Sequence, residues 1–279
     1  MARAGESKVC ALALHKAHKF LTDKLRRLLE STGDFPRFTH LVLGAEYDFY
    51  CDAAMAELDA MPEAALLVFG DEDYPSLLAE ISYAPFALYL RGRRSLLKEN
   101  LVSIVGTREP SEAGRIAAAR LASHFVTGGH AIVSGIARGV DGIAHHAALA
   151  AGGGTIAVLP NGFDHLYPLE NRDLYHAAAE DGNILLVSEY PPAQKPQRHH
   201  FIRRNRVIAG LSALTVFVEG DIKSGGMITV NYALAEGRDV AALSDARLKN
   251  NAGGNRLIAD GALDLTQTAF SAGIHPVSA

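Results

Sequence analysis

The sequence has only two cysteines, Cys10 and Cys51, and no tryptophan. Two cysteines argue against a disulfide framework and leave no C-x-x-C pair for a metal. Long hydrophobic runs are missing as well: VIAGLSALTVFV (207–218) is shorter than the roughly 20 residues that a membrane span needs. The early stretch VCALAL is too short for the core of a signal peptide. These absences predict a soluble, cytoplasmic protein with no membrane partner, no metal and no other cofactor.

Charge of one sign is missing from two segments. Residues 39–90 have no lysine or arginine but ten acidic residues, whereas residues 190–218 have no acid. The second segment holds five cationic side chains: Lys195, Arg198, Arg203, Arg204 and Arg206. Because the charges are segregated, the formal net charge of −4 says little about partners, and local charge is the better guide. The acidic segment is typical of a solvated surface.

From residue 100 onward, short apolar runs alternate with helix-like segments. The runs are LVSIVG (101–106), HAIVSG (130–135), GTIAVLP (154–160), NILLVSEY (183–190), ALTVFVEG (213–220) and RDVAAL (238–243), with FALYLRG (86–92) as a further candidate. Strands that are apolar throughout, separated by one helix each, indicate a parallel sheet covered on both faces. Right-handed crossovers then give an α/β fold, a doubly wound, mostly parallel, Rossmann-like sheet.

The N-terminal part is less regular. Its basic stretch HKAHKFLTDKLRRLLES (15–31) predicts helix. We expect a small, mainly helical N-terminal domain over residues 1–70, the Rossmann-like core over 71–268, and a short tail over 269–279. Ligands of such sheets bind beyond the carboxyl ends of the strands, so the loops at those ends are the candidate site.

Two common nucleotide motifs are missing from these loops. A dinucleotide site needs G-x-G-x-x-G after the first strand, where this chain has GTREPSEAG (106–114). A P-loop needs G-x-x-x-x-G-K-[ST], and GDIKSGG (220–226) lacks that spacing. The sequence therefore disfavours NAD binding and the hydrolysis of nucleoside triphosphates.

What remains is a candidate anion site made of backbone amides and arginines. The loop after the first strand projects Arg108 over the sheet edge. In SGIARGVDG (134–142), Ser134 offers a hydroxyl and Gly135 allows a ligand to approach the backbone closely. The amides that start the next helix, and those of SGG from Ser224 onward, are suited to holding a phosphate.

Three arginines, Arg203, Arg204 and Arg206, crowd the segment FIRRNRVIAGLS (201–212). A helix that begins near Ile202 puts the first and last of them on one face and turns its apolar residues toward the sheet. Cations at a helix N-terminus oppose the helix dipole, so a bound polyanion would relieve the repulsion. The alternative explanations are salt bridges to the acidic segment, or a structural role in which one arginine holds the fold together from within.

Seven motifs follow one another in a recognisable order: GTREPSEAG, SGIARGVDGIAH, AVLPNGFDHLYPLENR, SEYPP, FIRRNRVIAGLS, SGGMIT and GGNRLIADGA. In order and spacing they resemble the DNA-processing protein DprA (Smf) family, over roughly residues 71–265. The resemblance implies an extended Rossmann fold that binds single-stranded DNA without sequence specificity or catalysis. It further implies a homodimer that delivers RecA to the strand during natural transformation. The positions that it implies for DNA binding are Arg108, Ser134, Gly135, Arg138, Phe201, Arg203, Arg204, Asn205, Arg206 and Ser224.

The chain departs from the family pattern at several places. Gly225 in SGGMIT stands where Ser or Thr is typical, and Ile202 in FIRRNR stands where Pro is usual. The first 65 residues lack the helix-hairpin-helix-like signature common in the family, and we expect no C-terminal winged-helix module. Phe201, directly before the arginines, is either a base-stacking ring or a core residue.

Two other functions stay open. LOG-type nucleoside monophosphate phosphoribohydrolases carry P-G-G-x-G-T-x-x-E, and SGGMITVNY puts Tyr232 at the position of the catalytic glutamate. A phenol ionises too weakly at neutral pH to replace that carboxylate. The other function is a binding module for a small nucleotide.

Asp141 and His145 lie four residues apart, but a capping aspartate and a helix-facing histidine explain them better than a metal site does.

Overall fold

The computed structural model describes residues 2–62, 65–180 and 182–270, and the chain separates into two compact units, Met1–Leu90 and Arg91–Ala279. We expected a boundary after residue 70. The division lies later because residues 66–68 pair antiparallel with residues 87–89 and so join this segment to the first unit. Of the expected tail, residues 271–279 lie outside the described residues. No helix in the described part of the chain is both long and apolar enough to cross a membrane.

The first unit is mainly helical, as expected. Its elements are α1 (Ala2–Lys16), β1 (Phe20–Leu21), α2 (Asp23–Thr32), α3 (Phe35–Leu43), α4 (Tyr47–Asp59), β2 (Leu66–Val68), α5 (Ser76–Glu80), β3 (Ala84–Pro85) and most of β4 (Ala87–Gly92). The predicted basic helix is broken where β1 pairs with β3. It restarts at α2, because the Thr22 side chain accepts a hydrogen bond from the Leu25 amide and caps the new helix.

The second unit contains all six of the strands predicted after residue 100. Its strands are β5 (Asn100–Val105), β6 (His130–Ser134), β7 (Thr155–Leu159), β8 (Ile184–Ser188), β9 (Leu214–Phe217), β10 (Asp239–Ala242) and β11 (Leu263–Asp264). Its helices are α6 (Glu112–Thr127), α7 (Val140–Ala150), α8 (Arg172–Ala179), α9 (Arg198–Leu211), α10 (Gly225–Ala235), α11 (Ala252–Ala259) and α12 (Thr266–Phe270). Strand β11 was not predicted, because it has only two residues and both are exposed.

The strands of the second unit run parallel in the order β11-β10-β9-β5-β6-β7-β8. The chain proceeds from β5 to β8 in one direction and then crosses through α9 to β9, on the other side of β5. This confirms the predicted doubly wound parallel sheet. The strand order reverses next to β5, and a crevice opens at such a point beyond the carboxyl ends of the strands.

Helices cover both faces of this sheet. Val102 and Ile104 of β5 lie in one core cluster with Leu121 of α6 and Ala144 of α7. Ser103 points to the opposite face, as strand alternation requires, and its hydroxyl donates to the Ile208 carbonyl of α9 at 2.9 Å. Helix α9 is therefore fixed against the centre of the sheet, and its N-terminal half lies beside the crevice.

The end of β4 depends on a glycine for two reasons. Gly92 has φ +106°, and a Cβ atom there would overlap the Ile184 carbonyl oxygen. Gly129 has φ +80° but open space around it. We predict that Gly129→Ala lowers the free energy of unfolding by about 1–2 kcal/mol, from backbone strain alone. Gly92→Ala should lower it by at least about 3 kcal/mol, because the clash adds to the strain. Urea denaturation of both variants checks this, and equal losses would contradict it.

Candidate functional site

A cavity of about 650 Å³ lies in the second unit, at the predicted crevice. We call it the main pocket. It is bounded by the loop after β5, the loop after β6, helix α9 and the start of α10. Its lining includes Gly106, Thr107, Arg108, Ala137, Asp141, Tyr167, Arg198, Phe201, Ile202, Arg204, Asn205, Ile208, Ser224, Gly225, Gly226 and Thr229.

Helix α9 begins at Arg198, four residues before the predicted start near Ile202. The crowded arginines therefore lie beyond the first turn, and the prediction that they oppose the helix dipole is wrong. With this start, Arg198, Phe201 and Asn205 fall on one helix face at spacings of three and four, and all three line the main pocket. The cation in the first turn is Arg198, which is exposed.

Arg204 is buried beneath the pocket, with 5% of its surface exposed. Its guanidinium donates to the Gly135 carbonyl at 2.5 Å and also to the Val158 carbonyl. A Cβ atom on Gly135 would lie 2.6 Å from Nη2 of this arginine. The close approach that the sequence predicted for a ligand at Gly135 is thus made by the protein's own arginine.

Asp141 compensates the charge of Arg204. Burial raises the pKa of the Asp141 carboxyl to about 6, although the guanidinium and the Gly135 amide oppose the shift. Burial likewise lowers the pKa of Arg204 to about 10, against the effect of the carboxylate. At neutral pH both groups are charged, and they form a compensated pair at the floor of the main pocket.

Arg206 and Arg203 have different environments although they are three residues apart. Arg206 is 6% exposed and forms a bidentate ion pair with Glu189, with nitrogen–oxygen distances of 2.6 and 2.5 Å. Salt bridging, one of the alternative explanations, therefore applies to Arg206, and the partner lies at the end of β8 rather than in the acidic segment. Arg203 is exposed.

The loop after β6 uses its polar groups internally. The Ser134 hydroxyl is fully buried and donates to the Ile104 carbonyl at 2.6 Å. The Gly135 amide donates to Asp141 at 3.2 Å, and the Val140 amide donates to the Thr107 carbonyl at 3.1 Å. We predicted that the Ser134 hydroxyl and the amides of this loop bind a ligand. They bond instead to other groups of the protein.

His145 has a structural role, as the sequence indicated. It is fully buried, its Nε2 accepts from the Ile136 amide at 3.3 Å, and its Nδ1 lies 2.6 Å from the Thr155 hydroxyl. Burial lowers the pKa of the imidazole to about 3, so it is neutral. In the described ranges, no group of three His, Cys, Asp or Glu side chains is arranged to hold a metal ion.

Two aromatic rings and an exposed cation form one wall of the pocket. The rings of Tyr167 and Phe201 meet edge to face at 5.7 Å between centroids. Arg108 places its guanidinium carbon 5.8 Å from the centroid of the Phe201 ring. Phe201 is half-buried rather than a core residue, and it shares a small adjoining cavity with Arg108 and Arg138.

The loop that carries Arg108 is held by the buried residue Glu219. The Thr107 amide donates to the Glu219 backbone carbonyl at 2.8 Å. The Glu219 carboxylate accepts from the amide and the hydroxyl of Ser111, both at 2.9 Å, and from the Asn250 amide at 3.2 Å. A Cβ atom on Gly114 would overlap this carboxylate. Arg108 therefore projects from a fixed loop.

The start of α10 also lines the main pocket. Ser224 is the N-cap, and its hydroxyl accepts from the Met227 amide at 3.4 Å. Gly226 passes close to Gly106, because a Cβ atom on Gly226 would lie 3.0 Å from the Cα atom of Gly106. Gly225, where the family pattern has a hydroxyl, has no atom within 4 Å of a Cβ position and leaves that part of the pocket open.

The structure adds Arg198 and Tyr167 to the residues predicted from the sequence. Arg198 could have been found from the face that it shares with Phe201 and Asn205, had the helix start been placed correctly. Tyr167 lies in the loop after β7, where nothing in the sequence distinguishes it from neighbouring polar and aromatic residues.

Comparison with known proteins gives consistent relatives. The model of the family described as DNA recombination-mediator protein A matches residues 65–271. DNA processing protein DprA of Bacillus subtilis is 42% identical over 193 residues, which are 68% of this chain and 64% of that protein. The protein of the same name from Streptococcus pneumoniae is 39% identical over 210 residues, 74% of this chain and 71% of that one. The match spans only 45% of Protein Smf from Synechocystis, so this chain corresponds to part of some relatives.

Two solved structures are similar to this chain. The X-ray structure of DprA from Streptococcus pneumoniae matches with a TM-score of 0.75 and 30% identity, over 98% of this chain and 96% of that one. DNA processing protein A from Helicobacter pylori, whose structure addresses its single-stranded DNA binding mode, matches with a TM-score of 0.64 and 30% identity. That match covers 73% of this chain and 92% of the other.

The two arginines with different environments should differ in their effect on stability. We predict that Arg206→Ala lowers the free energy of unfolding by about 3–5 kcal/mol, because it leaves Glu189 buried and unpaired. Arg203→Ala should change it by no more than about 0.5 kcal/mol, since the side chain is exposed. Urea denaturation monitored by circular dichroism measures both. Equal effects would show that Arg206 is not held by a buried ion pair.

The raised pKa of Asp141 should make stability depend on pH. The folded protein holds this proton up to about pH 6, whereas an unfolded aspartate releases it near 3.8. Stability from this group is therefore complete below pH 3.8 and is lost as the pH rises to 6. Between pH 4 and 6, the wild type should lose about 2 kcal/mol relative to Asp141→Asn. Urea unfolding of both proteins at each pH tests this, and a constant difference would contradict it.

Proposed function

Because the chain belongs to the DNA recombination-mediator protein A family, we propose that it binds single-stranded DNA in the main pocket without sequence preference. The observation that carries the proposal is the wall where the exposed guanidinium of Arg108 lies over the Phe201 ring, with Arg198 one helical turn away. Proteins that bind single strands combine cations for the phosphates with aromatic rings for the bases. The binding mode addressed for the Helicobacter pylori relative supports this choice of ligand.

In this proposal, the residues of the site have separate roles. Arg108 and Arg198 contact phosphates beside the aromatic wall of the main pocket, Arg138 adds a contact in the small adjoining cavity, and the exposed Arg203 adds one outside the main pocket. Phe201 stacks on a base, with Tyr167 holding the edge of its ring. Ser224 and the amides that follow it receive a further phosphate at the start of α10.

Three of the expected contact residues act from beneath the surface in this proposal. Arg204 sets the pocket floor through Gly135 and Val158, and Arg206 anchors α9 to Glu189. Ser134 joins the ends of β5 and β6 by its bond to Ile104. Asn205 lines the pocket and donates to the Gly225 carbonyl at 3.5 Å, which links α9 to α10.

The proposed activity is binding without catalysis. In the phosphoribohydrolase alternative, the carboxylate position falls on Tyr232, which is not among the residues that line the main pocket. The small-nucleotide alternative has no observation of its own in its favour. By resemblance to the family, we extend the proposal to a cytoplasmic homodimer that loads RecA onto single-stranded DNA in recombination.

The binding proposal is tested by fluorescence anisotropy of a labelled oligothymidine titrated with protein at several salt concentrations. We predict salt-sensitive binding with a slope of log K against log salt near −2.8, since four arginines contribute about −0.7 each. Arg108→Ala and Arg198→Ala should each weaken binding to every sequence alike and flatten the slope by about 0.7.

Arg256→Ala provides the matched control, because Arg256 is an exposed arginine on α11 whose partner is Asp260. It should bind as the wild type does. If Arg108→Ala and Arg198→Ala also bind as the wild type does, the strand does not lie in the main pocket. If the folded wild type binds no single-stranded DNA, the proposed function is wrong.

A further inference from the structure

A second groove runs between α6 and α7 and meets the margin of the main pocket. Its volume is about 630 Å³, close to the 650 Å³ of the main pocket. Arg108 lines both cavities, and Arg138 lines the groove together with the small cavity next to Phe201. The α6–α7 groove therefore adjoins the main pocket at Arg108 and the small cavity at Arg138.

Three arginines and a histidine surround this groove. Arg115 projects from α6 on one side, His146 from α7 on the other, and Arg108 and Arg138 lie at the end next to the main pocket. All four are exposed. One acid of the lining, Glu170, lies 3.5 Å from Arg138, and outside the lining Asp173 lies 2.6 Å from His146. The lining of the groove therefore contains three arginines and one acidic residue.

The walls of the groove fit a sugar–phosphate backbone better than bases. Small residues, among them Ala119, Gly139 and Ala147, separate the charged side chains and leave the floor accessible. Apart from the His146 imidazole, the lining drawn from the described residues has no aromatic ring on which a base could stack. The aromatic rings are confined to the main pocket, and the groove offers charge alone.

The groove is also fixed in shape. Asn171 donates to the carbonyls of Ile136 and Ala137, at 2.9 and 3.0 Å, and so holds the loop from which Arg138 projects. A Cβ atom on Gly142 would lie 2.7 Å from the Asn171 side chain, so α7 and this asparagine are in close contact. The backbone from which Arg138 projects is thus set by the fold before a ligand arrives.

We propose that the α6–α7 groove holds the continuation of the DNA strand that leaves the main pocket, with Arg115 and Arg138 contacting its phosphates. The inference rests on the proposed function and adds a second stretch of backbone contacts to the same ligand. A phosphate takes the place of Glu170 next to Arg138, which an exposed ion pair of this kind permits because it is weak. Glu170 therefore opposes binding in the groove.

The test compares two oligothymidines, one of about five nucleotides and one of about 20, since a single binding module covers roughly 4–16 nucleotides. Arg115→Ala in the full chain should weaken the 20-mer about fivefold at 0.1 M salt and flatten its salt slope by about 0.7. The five-nucleotide strand should occupy the main pocket first, where the aromatic rings lie, and its binding should be unchanged. Glu170→Gln should instead tighten the 20-mer, which partial unfolding could not produce.

Arg256→Ala again serves as the control and should affect neither strand. If Arg115→Ala and Glu170→Gln leave the 20-mer unchanged while Arg198→Ala weakens both strands, the groove is not part of the path and the proposed function stands. If Arg115→Ala weakens both strands equally, the groove has no separate role and the inference is wrong. Failure of the wild type to bind either strand overturns the proposed function itself.

Discussion

A positive charge held out of water organises the carboxyl end of the parallel sheet. The Arg204 guanidinium is stable there only because its N–H groups and its charge are both compensated. The Gly135 and Val158 carbonyls, at the ends of β6 and β7, accept its hydrogen bonds, and Asp141 balances its charge. The same carboxylate accepts from the Gly135 amide. One side chain of α9 therefore fixes the ends of two strands and the start of α7.

A second buried group does the same for the other side of the pocket. The Glu219 carboxylate binds Ser111 and Asn250, and its backbone carbonyl binds Thr107. In both cases a buried polar group from one element satisfies the free backbone groups of a neighbouring loop. The exposed side chains that are left, such as Arg108, then project from loops that cannot move independently. The distinction between buried and exposed arginine explains why neighbouring cations on α9 have different roles.

The sheet was predictable from sequence because buried parallel strands leave continuous apolar runs, and all six runs after residue 100 became strands. The start of α9 was not, because its N-cap, Gln197, makes no side-chain capping bond and so gives no signal. The different environments of Arg203 and Arg206 could not be predicted from the sequence either. They depend on Glu189, which is 17 residues from Arg206 in the sequence and contacts it only in the folded protein. Ser134 binds the Ile104 carbonyl, 30 residues away, and no local pattern shows that its hydroxyl points inward.

Helix α9 lines the pocket with Phe201 and Asn205 and contributes Val207 and Ile208 to the hydrophobic interior. The same helix therefore carries residues of the pocket and residues of the hydrophobic interior. The backbone of α9 loses its conformational entropy when the chain folds, so association has to order only the exposed side chains of the pocket. Conversely, a substitution that changes the packed volume beneath Val207 would tilt α9 and with it one wall of the main pocket. Such substitutions would alter affinity although they lie far from the ligand. The evolution of binding in this protein is for that reason tied to the evolution of its interior.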